Sequence, residues 1–279
     1  MLRTWAETEP ADGSAAYETA RLAANHPIID GAVIPASIKS IVLAEREEQL
    51  SSLVDVVDAE NIERVVAELR KVILTVHVPR SVQADVEAIL KDMAKPVLAR
   101  LSPSGAVANP LAPTMIIGLL EGKLFLDAIR MLYAELYTAQ NLLATEDRRG
   151  AIIVQHMPDV NTTYRILRSD SFTIVEGTRG LGCWVGYGEP DRFLFENGVF
   201  ARSEHGDEKG VAWDVHAPKQ FTRQPLGGED AQRLLAWAQP YLATAPANSQ
   251  LLFCATDNGF FCLGAGPSIA SKRDTEKPL

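Results

Sequence analysis

Cysteine is scarce in this chain, with three residues, and none has a CxxC or Cys/His neighbour at a zinc-binding spacing. Cys254 and Cys262 flank Asp257-Asn258-Gly259. With Asn258-Gly259 as a two-residue hairpin loop, they fall out of register on opposite strand faces and do not pair. Cys183 is far away in sequence, so the reading is three free thiols in a reducing compartment. No apolar run approaches the roughly 18 residues a membrane span needs. Residues 1–10 carry Trp5, Glu7 and Glu9 rather than the apolar stretch of a secretory leader, and the cytoplasm is the expected compartment. Basic excess is missing too. The net charge is -9 and the pI about 5.1, which speaks against nucleic acid or anionic membrane as a partner. The five histidines (His26, His77, His156, His205 and His216) are scattered without metal-ligand spacing, so no metal site is read from them. Gly180, Gly182, Gly186 and Gly188 have the wrong third spacing for a dinucleotide loop, and no helix follows; they read as tight turns. No nucleophile–histidine–carboxylate order stands out, and no catalytic residue is assigned.

What is present is apolar residue in quantity, 47% of 279, enough for one large domain or two subdomains. Residues 38–50 read as a helix. Ile62, Val65, Val66 and Leu69 have helical spacing, with Asp58 or Asn61 available as cap. Ser81 caps a further helix through residue 93, and residues 97–100 form a strand. Residues 102–113, rich in Pro, Gly, Ser and Asn, read as a long loop. Residues 119–143 read as one long amphipathic helix interrupted near Gly122. From residue 151 onward strands dominate: 151–155, 163–167, 171–175, a hairpin around Glu196-Asn197-Gly198, and a closing hairpin around Asp257-Asn258-Gly259. A helix at 230–242 separates these hairpins. The expected fold is α+β, with a helix-rich subdomain at 1–150, a strand-rich subdomain at 151–270 and a disordered charged tail at 271–279.

The order of short motifs from residue 97 resembles the ATP-grasp nucleotide-binding domain of the phosphoenolpyruvate synthase and pyruvate phosphate dikinase family. VLARLS at 97–102 resembles that family's strand ending in Val-Arg-Ser-Ser. LDAIR at 126–130 with YAELYT at 133–138 resembles its long helix, IVQHM at 153–157 its Val-Val-Gln-x-Met strand, and VEGTRGLG at 175–182 its Ile-Glu-Ala-x-x-Gly-Leu-Gly segment. Residues 226–263 follow its order of helix, strand, tight turn and strand. The resemblance covers about two thirds of the chain and is thinner at the front, where Arg21-Leu22 to Val33-Ile34-Pro35 resembles the family's opening. It implies two subdomains around a cleft, ATP and Mg2+ as ligands, and phosphoryl transfer to a histidine on a separate domain. Arg100, Gln155, Glu176, Gly180 and Gly182 are the positions it marks as nucleotide-binding.

The chain departs from that pattern at charged positions. Tyr17-Glu18 stands where the family has glycine-lysine. Leu101 replaces a serine, and the acidic pair after it is absent from residues 103–107. Phe253-Cys254-Ala255 stands where the family has Glu-Trp-Ala, whose glutamate holds metal, and Gly264-Ala265-Gly266-Pro267 replaces Gln-x-Arg-Pro. Phe253 is expected to point inward at the metal-ligand position, so that Phe253→Glu restores metal dependence and Glu18→Lys restores phosphate affinity. These departures weaken or remove ATP and Mg2+ binding. The resulting expectation is a degenerate ATP-grasp domain, a pseudoenzyme serving as a structural or regulatory subunit with other protein chains as partners. Two alternatives stand beside it: the ATP-binding kinase subunit of a split dikinase, and a binding module for another ligand.

Overall fold

Strand β4 (Gly150–His156) is hydrogen-bonded on both edges, to β1 (Gly31–Ile34) and to β2 (Val97–Pro103), in an antiparallel sheet of order β1-β4-β2-β3 with β3 at Met115–Gly118. The computed structural model describes residues 2–94, 96–104, 115–118, 122–144, 148–169, 171–180, 190–206, 211–213, 218–220, 225–246 and 249–266. Gly182, Cys183, most of the loop read at 102–113 and the tail at 271–279 lie outside them. The chain divides into two compact units. The first comprises Met1–Tyr17, Asp30–Ala108 and Thr114–His156; the second comprises Glu18–Ile29, Asn109–Pro113 and Met157–Leu279. The strand expected to open the second half is therefore the centre of the first sheet, because its partners are β1 and β2.

Residues paired across an antiparallel ladder share a face, and neighbours along a strand alternate. One face of the first sheet carries Ile34, Val97, Ala99, Leu101, Ile152 and Val154. It packs against α2 (Ala36–Leu43), α4 (Ile62–Leu74) and α6 (Gly122–Ala134) in one continuous core. The other face carries Val33, Ala151 and Ile153 and is covered by Trp5 and by Ala15 and Ala16 of α1 (Ser14–Ala23). In α4 the stripe Ile62, Val65, Leu69, Val72 and Ile73 is buried, as its spacing predicts. In α5 (Arg80–Asp92) the stripe is Val82, Val86 and Leu90, but Pro79 occupies the N-cap and Ser81 lies inside the helix. The segment read as a single helix at 38–50 is two: α2, a 3-10 turn at Ala44–Arg46, and α3 (Glu47–Asp55). The long helix at 119–143 is also broken, into α6 and α7 (Ala139–Ala144). Thr138 starts the second piece by accepting the Asn141 N–H on its Oγ1 at 3.2 Å, while Asn141 Nδ2 donates to the Leu136 carbonyl at 3.2 Å. Side chains that bond nearby backbone in this way compete with helix continuation.

The second unit is built on a six-stranded antiparallel sheet of order β12-β11-β5-β6-β7-β8. Its strands are β5 (Thr162–Arg168), β6 (Phe172–Arg179), β7 (Asp191–Glu196), β8 (Val199–Glu204), β11 (Gln250–Thr256) and β12 (Gly259–Ala265). A short pair, β9 (Val211–Trp213) with β10 (Pro218–Gln220), stands apart from that sheet. One sheet face, with Tyr164, Ile166, Val175, Phe193, Phe195, Phe253 and Cys262, packs on Leu234, Leu235, Ala238 and Tyr241 of α8 (Gly228–Thr244). The fold is thus α+β. The β7–β8 turn follows the sequence reading, with Asn197 and Gly198 at φ 49 and 81, the pair of positive values a type I′ hairpin requires. The closing turn is shifted by one residue: Thr256 pairs with Gly259, so Asp257-Asn258 form the loop and Gly259 takes the positive φ of 118. Cys254 lies opposite Phe261 and Cys262 opposite Phe253. The two thiols therefore face opposite sides, as read, and both are free and buried.

Gly264 closes this sheet against the start of the chain's second unit. It has φ +122, and a Cβ there would lie 2.4 Å from Thr19 Cγ2. Thr19 Oγ1 accepts the neighbouring Ala265 N–H at 3.0 Å, which holds it in place. Gly264→Ala is expected to destabilise the protein by about 2 kcal/mol or more through backbone strain and overpacking. Urea unfolding measures this; an unchanged midpoint would contradict the fit described.

Candidate functional site

In the first unit, β2 and β4 bring two of the sequence-marked residues together. The register sets Leu98 opposite Gln155 and Arg100 opposite Ile153, so Arg100 and Gln155 are diagonal neighbours on the face away from the large core. Arg100 Nε donates to Gln155 Oε1 at 3.3 Å, and both side chains are fully buried. Gly31 is opposite Gln155 because nothing larger fits: a Cβ would come within 2.6 Å of Gln155 Cγ and 2.8 Å of Trp5 Cζ2. Ser102, on the same face, accepts the Ala16 N–H at 2.8 Å. Arg100 is thus an interior cation tied to an amide and roofed by Trp5 and α1. Glu18, at the position matched to the family's lysine, forms an i,i+3 pair with Arg21 at 3.1 Å on α1.

In the second unit, the sheet face away from α8 carries the other marked residues. Arg165 on β5 and Arg192 on β7 are both directly opposite Glu176 on β6. Arg165 Nε donates to Glu176 Oε2 at 2.6 Å and its Nη2 contacts the same oxygen; Arg192 Nε donates to Oε1 at 2.9 Å. Each carboxylate oxygen therefore has its own guanidinium. Glu176 is almost fully buried, Arg165 is nearly so, and Arg192 is 43% exposed. Two cations flank this one anion, and Glu204 on β8 lies directly opposite Arg192 on the same face. Beside this cluster, Thr163 Oγ1 lies 3.3 Å from Thr178 Oγ1 and donates to the Gly180 carbonyl at 2.8 Å. Gly180 sits at φ 65, and its N–H donates to the Asn161 carbonyl at 2.8 Å, which carries the β5–β6 pairing one residue past Arg179.

The marked residues thus fall into two sets, Arg100 with Gln155 in the first unit and Glu176 with Gly180 in the second. The arginines around Glu176 were not singled out in the sequence. The signal was there: antiparallel pairing through the turn after Arg168 sets Arg165 opposite Glu176.

Phe253 requires a correction. It is inward and fully buried, but inward is toward α8, where it meets Trp237 and Tyr241 edge-on at 5.8 and 5.7 Å. Leu252 pairs with Arg165 and Cys254 with Thr163, so these residues, not Phe253, share the face of Glu176. Burial pushes the Cys254 thiol up to about 12, against a smaller opposing pull from its hydrogen bond with the Phe261 backbone, so it is a neutral packing group.

Mg2+ coordination needs carboxylate oxygens with free lone pairs. Glu176 has its oxygens engaged by arginines, and the Phe253 position opens into an apolar core. Among the described residues no three His, Cys, Asp or Glu side chains converge on one point. Among the described residues, Glu176 with an arginine on each oxygen is a poor fit to the metal that the resemblance implies.

No protein-family model matches the sequence, and no curated protein does either. Solved structures with partial likeness include the ADP complex of N5-carboxyaminoimidazole ribonucleotide synthetase (12% identity over 67% of this chain and 38% of that one, TM-score 0.32). They also include the VanG D-Ala:D-Ser ligase from Enterococcus faecalis (14% identity over 94% of this chain and 62% of that one, TM-score 0.29). A third is the macrocyclase MdnB from Microcystis aeruginosa MRC (12% identity over 87% and 67%, TM-score 0.27). The chain spans 38% and 62% of the first two, and likenesses this low transfer no residue roles.

Two substitutions test the two faces of the second sheet. Phe253→Glu sets a carboxylate among Trp237, Tyr241 and Phe260 and is expected to cost about 3–5 kcal/mol or more, from lost aromatic packing and an unpaired buried charge. Urea unfolding with and without Mg2+ reads it, and a well-folded variant with new Mg2+ dependence would contradict the assignment. Glu176→Ala leaves two guanidinium groups facing each other across β6. About 2–4 kcal/mol of destabilisation is expected, less than for a fully buried triad because Arg192 is half-exposed. A change under 0.5 kcal/mol would mean that the arginine pairing carries no structural weight.

Proposed function

We propose that the chain is an ATP-grasp-like domain without magnesium-dependent phosphoryl transfer, serving as a structural or regulatory subunit of an ATP-dependent or phosphotransferase-like assembly. The observation that carries this reading is Glu176, held by Arg165 and Arg192 instead of presenting its oxygens to a metal. The ordered motifs in the sequence and the α+β build of both units support the ATP-grasp part. Phosphoryl transfer is mainly positioning and charge neutralisation, and a Glu176 carboxylate engaged by two arginines is ill placed to hold the Mg2+ that neutralises the phosphates. A protein-facing role has support in β8, which ends the described sheet with all six residues exposed, Val199 at 70%. Such an edge offers unpaired backbone to another chain.

The split-dikinase reading draws on one observation, the retained Arg100–Gln155 pair. Calorimetry separates the two readings. The isolated chain is expected to show no Mg-ATP binding in the low-micromolar range and no ATPase activity. Two missing charged contacts, each about 1.5–3 kcal/mol, weaken binding by roughly 10²- to 10⁴-fold. Tight Mg-ATP binding that is lost in Arg100→Gln would overturn the proposal in favour of a working nucleotide subunit.

A further inference from the structure

On the opposite side of the first sheet from Arg100 and Gln155, the facing stripes of α2 and α3 leave a cavity of about 290 Å³. Its polar lining is Lys39 and Ser40 from α2, Glu47 and Ser51 from α3, Tyr137 from the segment after α6, and Arg148 just before β4. Leu43, Leu50 and Val54 form its apolar wall. Leu43, Leu50 and Tyr137 belong to the core cluster that includes Ala99 and Leu101, whereas Arg100 and Gln155 lie on the other face. The cavity is therefore separate from the residues that the sequence marked as nucleotide-binding.

Its electrostatics run against those of the chain as a whole. Two cations and one carboxylate line it, in a protein with a net charge of -9. Lys39 Nζ donates to the Arg148 carbonyl and stands 5.1 Å from the centroid of the Tyr137 ring, which fixes the ammonium at the cavity wall. Arg148 is buried, and its Nη2 lies 3.4 Å from the Leu142 carbonyl. Its charge also bears on Tyr137: burial raises that phenol above its ordinary value, and Arg148 pulls it back. Two positive groups, three hydroxyls and an apolar wall in a space at the small end of ligand pockets match an anion with a short apolar portion. Glu47, exposed at the rim, opposes a second negative charge.

We propose that this cavity binds a small organic anion, one carboxylate or phosphate monoester carrying a short apolar group, with Lys39 and Arg148 at the acid and Leu43, Leu50 and Val54 around the apolar end. The site lies in the first unit and does not depend on nucleotide binding elsewhere.

The test is binding to the full chain, read by calorimetry and by the melting temperature, with butyrate, phenyl phosphate and inorganic phosphate as probes and butanol and butylamine as uncharged and cationic controls. Saturable binding of butyrate or phenyl phosphate is expected, tighter than inorganic phosphate and absent for the controls. The stronger of the two identifies the acid group. Lys39→Gln is expected to weaken binding about tenfold, the worth of one charged contact. Glu47→Gln, at an exposed position that leaves folding intact, is expected to tighten binding, with phenyl phosphate gaining more than butyrate. Failure of both organic anions to bind, equal binding of butanol, or affinities unmoved by Glu47→Gln would each overturn the proposal.

Discussion

A carboxylate shared by two guanidinium groups on one face of an antiparallel sheet organises the second unit. Glu176 sits between Arg165 and Arg192 on consecutive strands, so three strands are tied across their width by charge-assisted bonds. The opposite face buries its aromatics under α8, with Arg168 donating to the Leu242 carbonyl and the Asp191 carboxylate set beside His205 at its margins. Strand alternation sorts the two chemistries, and every residue on β5, β6 and β11 falls on one side or the other by its parity. That sorting decides what the unit can do. The carboxylate that the resemblance marks as nucleotide-binding is satisfied by arginine, and the aromatic that stands in place of the metal-holding glutamate belongs to the core.

The first unit obeys the same parity. Its central strands are buried on both faces, with the large core on one and Arg100, Gln155 and Ser102 on the other beneath Trp5 and α1. A buried arginine is tolerable when its donors find acceptors, and the Gln155 amide supplies one. The cavity between α2 and α3 lies on the core side, so this unit has a polar interior face and a cation-lined pocket separated by a single sheet.

Much of this was legible from residue order. The stripes of α4 and α5, the Asn197-Gly198 hairpin and the out-of-register cysteines follow from periodicity and turn chemistry alone. The breaks were harder to see. Residues 119–143 are almost all good helix formers, and the interruption depends on how Thr138 and Asn141 bond the backbone. The pairing of β4 with β1 joins residues more than a hundred positions apart and has no local signal. Phe253 shows the limit most clearly. Its burial was legible, but its face depends on the register with β5 and on the irregularity between Leu252 and Phe253. A motif match aligns positions along the chain and carries no information about which way a strand is turned.

The central claim is that Glu176 serves arginine and not a metal. Water-proton relaxation with Mn2+ and ATP addresses it directly, because a protein-bound paramagnetic ion enhances relaxation strongly. The account predicts no enhancement above that of Mn-ATP alone, with the native chain and with Glu176→Gln behaving alike. A large enhancement with the native chain that disappears in Glu176→Gln would contradict it.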